Sequence, residues 1–105
     1  MPVHAVSSAR LRQIFNASGY LERAASGQNM LVTVTRRSQP APEYQQPAGT
    51  VSETAMYRES RGNRLVVVAL THAFVLPDGT INNRRGLPDP KYVRIGDDIY
   101  KLARR

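Results

Sequence analysis

The chain contains no cysteine. That absence removes disulfides, thiolate nucleophiles and the usual structural zinc sites in one step, and it suits a reducing compartment. Histidine is almost as scarce: His4 and His72 are the only two, and without cysteine they offer no metal-ligand spacing. Long hydrophobic runs are missing too. The longest, Leu65–Leu70, falls far short of the roughly 20 residues that span a bilayer. The N-terminal stretch has no basic segment followed by an apolar run, so a secretory signal is not expected. Neither a P-loop nor a dinucleotide-binding glycine fingerprint occurs, and the glycines stand singly in turn contexts. Asp78, Asp89, Asp97 and Asp98 also fall in turn compositions, where an aspartate bonds its own backbone. The expectation is a cytoplasmic protein with no metal, no cofactor and no membrane partner.

What the chain does have is positive charge. Its net charge is +7, and 13 arginines stand against 2 lysines. Arginine offers a planar fork of donors suited to phosphate and carboxylate, although a GC-rich genome, which favours arginine codons, would give the same bias. Residues 54–105 hold ten of the fifteen basic side chains, so the second half is expected to form the electrostatic face.

The 105 residues suit one domain. Ser7 or Ser8 can cap a first helix, on which Leu11, Ile14 and Phe15 share a face. Ser18-Gly19 predicts a kink or a break, Leu21 and Ala25 return to the same face, and Gly27 ends the helical segment. Met30–Thr35 reads as a strand. Residues 36–49 carry three prolines and almost no apolar anchor, so they read as a long loop, most mobile over 38–49. Thr50–Glu59 alternates as a strand, and Ser60–Asn63 turns it into a hairpin with Arg64–Leu76. That last strand is apolar on both faces through Leu70, which predicts cover on both sides. Pro77–Gly79 is a turn, after which Thr80–Asn83 pairs back briefly. Two prolines keep the 82–90 stretch from being a central strand. Lys91–Ile95 and Ile99–Leu102 form a closing hairpin, and Arg104 and Arg105 trail into solvent. The architecture expected is α+β: an N-terminal helical segment packed on an antiparallel meander of five or six strands. A small curled β-barrel with the helix outside is the alternative.

No catalytic signature stands out. His4 is expected in a fraying terminus. His72 reads first as a core-edge residue bonded to a backbone carbonyl, and second as a general acid or base within reach of Arg84 and Arg85. Basic residues gather at loops, and Arg58, Arg61, Arg64, Arg84, Arg85, Lys91, Tyr92 and Arg94 are the candidate nucleic-acid contacts. Tyr57 and Tyr92 would stack on unpaired bases. The first function expected is therefore a small basic module that binds nucleic acid by arginine–phosphate contacts. The rival is a protein-interaction or assembly component, of a bacteriophage particle or a regulatory complex, docking through the 38–49 loop. A third reading is a small metal-independent ribonuclease using His72, Arg84, Arg85 and Tyr92, since the helix-first layout is similar to that of ribosome-dependent toxin nucleases.

The composition of 38–49 generates one test. Amide hydrogen exchange is expected to be fastest there among internal segments, and protection equal to that of Leu65–Leu70 would contradict it.

Overall fold

The computed structural model describes residues 1–103; Arg104 and Arg105 lie outside the described residues. The helical segment forms as the sequence predicts. The Ser7 hydroxyl accepts from the Arg10 amide at 3.1 Å and starts α1 (Ser8–Ser18), which buries Leu11, Ile14 and Phe15. Gly19, at φ 76°, ends α1 and opens α2 (Tyr20–Ser26). A left-handed residue is needed at that corner, and glycine adopts it at no steric cost.

Six strands form one sheet: β1 (Val3–Val6), which precedes the helices, then β2 (Met30–Ser38), β3 (Val51–Arg61), β4 (Arg64–Val75), β5 (Asp89–Ile95) and β6 (Asp98–Leu102). Their order is β1-β6-β5-β4-β3-β2. The run from β2 to β6 is the antiparallel meander expected, joined by two-residue turns at Gly62-Asn63 and Gly96-Asp97. Three expectations need correction. First, the N-terminus does not fray: β1 pairs parallel with β6, from Val3 opposite Ile99 to Val6 opposite Leu102. The sheet is therefore mixed, and with β1 and β2 as separate edges it does not close into a barrel. Second, β2 continues to Ser38, so Arg36 and Arg37 belong to a strand. Third, Asp89 and Pro90 begin β5, which lies inside the sheet between β4 and β6. Pro90 is tolerated because it stands at the strand's start beside a bulge: Thr71 pairs with Pro90 and Leu70 with Tyr92, leaving Lys91 as the extra residue.

A second bulge sets the core. Tyr57 pairs with Ala69 but Arg58 pairs with Val67, so Val68 is the extra residue on β4. The bulge shifts the alternation by one and puts Val66, Val68 and Ala69 together in the helix-side core. Phe15 meets the edge of Tyr57 with ring centres 5.6 Å apart, and Leu11, Val68 and Val93 are fully buried beside them. Both helices lie on this one face. Cover on both sides of β4 was expected; instead Leu65 is 50% exposed, and the second face is roofed only at one end, by residues 39–44. Among the described residues no helix is long and apolar enough to cross a membrane.

Val68→Asp is expected to abolish cooperative folding. An unpaired carboxylate at a fully buried position costs several kcal/mol, on the order of the whole stability of a small domain. A sharp thermal transition in that variant would show the β4 bulge to be misplaced.

Candidate nucleic-acid interface

Directly paired residues point to the same side of a sheet, so the register fixes which side chains share a face. The helix side carries Met30, Val32 and Val34 of β2 opposite Glu59, Tyr57 and Ala55 of β3. The open side carries Thr54, Met56 and Arg58 of β3, Leu70, His72 and Phe74 of β4, and Tyr92 and Arg94 of β5. Lys101 of β6 pairs with Tyr92 and joins them. Arg36 does the same on β2, where it pairs with Thr54.

The strand carboxylates sort along the same division. Those on the helix-side strands each have a basic partner. Glu59 accepts from Arg23 and Arg61, both at 2.6 Å, and Glu53 from Arg37 at 2.9 Å. Asp98 meets His4 at 3.0 Å. Burial pushes the Glu59 carboxyl up, but the Arg61 and Arg23 guanidiniums outweigh it and hold the group below its ordinary value. Burial also raises Tyr20 and Tyr57. The open side presents Arg36, Arg58, Lys91, Arg94 and Lys101 against the single strand carboxylate Asp89. Arg58 donates to the Thr33 hydroxyl at 3.4 Å, and Arg94 reaches the Gly96 carbonyl and, at 3.6 Å, the exposed Asp97 of the turn.

The eight residues singled out in the sequence thus fall into three groups. Arg58, Lys91, Tyr92 and Arg94 stand together on the open face. Arg61 and Arg64 end the β3–β4 hairpin, where Arg61 is taken up by Glu59. Arg84 and Arg85 line a cavity of about 270 Å³ against α1, with Arg12, Gln13 and Asn16. Arg12, from the less basic half, is therefore their neighbour. Tyr57 is only 4% exposed and packs on Phe15, so it is not available to stack on a base. Arg36 and Lys101 were not among the eight candidates: β2 runs further than its apolar alternation, and its bulge near Thr35 changes which arginine faces out.

His72 does not bond a backbone carbonyl. Its Nε2 meets the Ser52 hydroxyl at 2.6 Å, and Ser52 sits two pairs further along β3, opposite Phe74. The two open into a cavity of about 560 Å³ shared with Thr54, Phe74, Asp89 and Lys91. Tyr44 closes it, its ring 5.3 Å from that of Phe74. Asn83 fixes the rim, donating to the His72 carbonyl and to Asp89 Oδ2, each at 3.1 Å. It also accepts from the Phe74 amide at 2.8 Å. Arg84 and Arg85 line the other cavity, so the four residues of the ribonuclease reading are not brought together. The 37–51 stretch encloses a hollow of its own, about 660 Å³, in which Arg37 is the only charged side chain.

Burial pushes the His72 imidazole below its ordinary value of 6.5; Lys91 adds to this and Asp89 opposes it. The sign follows from linkage. Between the depressed folded value and 6.5 the unfolded chain binds a proton that the folded chain does not, so stability falls as pH drops through that window. Urea midpoints are expected to fall between pH 7.5 and 5.5 by more in the native protein than in His72→Asn, and identical losses would contradict it. Compared with known proteins, the chain matches no family model, no curated protein and no solved structure.

Proposed function

We propose that the open face of the sheet binds single-stranded nucleic acid. The observation that carries this reading is the clustering of Arg36, Arg58, Lys91, Arg94 and Lys101 on one open face, whose strands hold a single carboxylate, Asp89. Backbone phosphates supply the anions such a face lacks. The strands lie about 4.8 Å apart, so Arg36 on β2 and Lys101 on β6 are separated by four spacings, about 19 Å across the sheet. Both helices pack on the opposite face, so neither is placed to enter a duplex groove, whereas a single strand can lie across the open one. Half-buried Tyr92, beside Leu70 on the same face, gives a base something to stack on, and Met56 widens the apolar floor.

Replacing Arg36 and Lys101 together by alanine is expected to weaken binding of a short mixed-sequence single strand. It should also flatten the log–log salt dependence by about 1.4, since each phosphate neutralised in a single strand contributes about 0.7. Arg10→Ala with Arg64→Ala removes the same charge away from the face and should leave the slope unchanged. Fluorescence anisotropy at several salt concentrations measures both. Equal losses from the two double variants would reduce the effect to net charge, and no binding at low salt would end the proposal. Tyr92→Leu keeps the charge and removes the ring, so single-strand affinity should fall about tenfold, as for loss of one stacked base.

A further inference from the structure

From the cavity at the roofed end of the open face we infer a specific ligand: the 3′-terminal ribonucleoside of a single RNA strand. The inference rests on the nucleic-acid reading above and names which part of the polymer that end receives. Ser38 at the end of β2, residues 39–41 and Tyr44 wall the cavity. It opens onto the cationic face between Arg36, which pairs with Thr54 of its lining, and Lys91, and the end of a strand lying there can turn into it.

The chemistry of the cavity selects which end. Lys91 and Asp89 bring one positive and one negative charge, and the imidazole of His72 is disposed to be neutral. A terminal phosphate monoester, with nearly two negative charges at neutral pH, would meet one ammonium and be repelled by one carboxylate. A ribose cis-diol is neutral and both donates and accepts. Asn83 occupies Asp89 Oδ2, which leaves Oδ1 to accept from a ribose hydroxyl. Ser52 gives its proton to His72 when Nε2 is unprotonated, so the lone pairs of its oxygen are free to accept, and Thr54 adds a second hydroxyl. Lys91 then meets the last bridging phosphate, which carries a single charge, and Phe74 with Tyr44 offers apolar surface to the terminal base. Aromatic walls with a few convergent polar groups are the ordinary make-up of a small-ligand site.

The test compares one RNA sequence ending in a 3′-hydroxyl, a 3′-deoxy or a 3′-phosphate group on the native protein. The 3′-hydroxyl form is expected to bind about tenfold tighter than either of the others, the scale of a hydrogen bond to a charged acceptor. Asp89→Asn should erase that preference while leaving the 3′-phosphate form bound as well as before or better. The comparison of ends on the native protein decides the matter even if that variant folds poorly. Three ends of equal affinity, with the salt dependence intact, would overturn the terminal site and leave the open-face reading standing. No binding of either an RNA or a DNA single strand at low salt would remove both.

Discussion

Phe15 and Leu11 of α1 press on Tyr57, Val68 and Val93, and this contact decides which side of the sheet is the interior. Two short helices cannot cover six strands twice, so the sheet has one dry face and one that stays largely open. Burial then sorts the charged groups. A carboxylate on the helix side loses much of its water, and Glu59 is kept there only with Arg23 and Arg61 both bonded to it. On the open face Arg36, Lys91 and Lys101 stay exposed, whereas Arg94 is half-buried and meets Asp97. Packing thus sorts the strand carboxylates, and four of the five open-face cations come from the second half of the chain.

The two bulges adapt a regular meander to that arrangement. At Val68 the bulge lets a long apolar strand contribute consecutive residues to the core, which strict alternation forbids. At Lys91 it lets a proline begin an interior strand and turns Asp89 and Lys91 toward the same cavity. The segment after β2 is tied down across that cavity at several points. Tyr44 rests on Phe74, and Gln46 accepts from Asn82 at 2.8 Å. Gly49, at φ +85°, lies so close to Pro77 that a Cβ there would sit 3.0 Å from the proline ring. A glycine meets both demands at that position, the positive φ and the close approach.

The sequence by itself determined the helical segment with its break at Gly19 and its stop at Gly27, because capping serines and left-handed glycines act within a few residues. It also determined the meander from β2 to β6, since alternation and two-residue turns are local signals, and the α+β class that follows from a striped helix and an apolar strand. Only the tertiary structure decided the rest. The partner of Val3–Val6 lies more than ninety residues away, and no turn composition announces a parallel pairing. Bulges leave no mark in composition, yet one extra residue exchanges the faces of a strand, so the split of β4 into core and surface was illegible. For the same reason Arg36 and Lys101 joined Arg58, Lys91 and Arg94, and Ser52 met His72. Each is a cross-element neighbour set by register, and register is fixed by which face the helices bury.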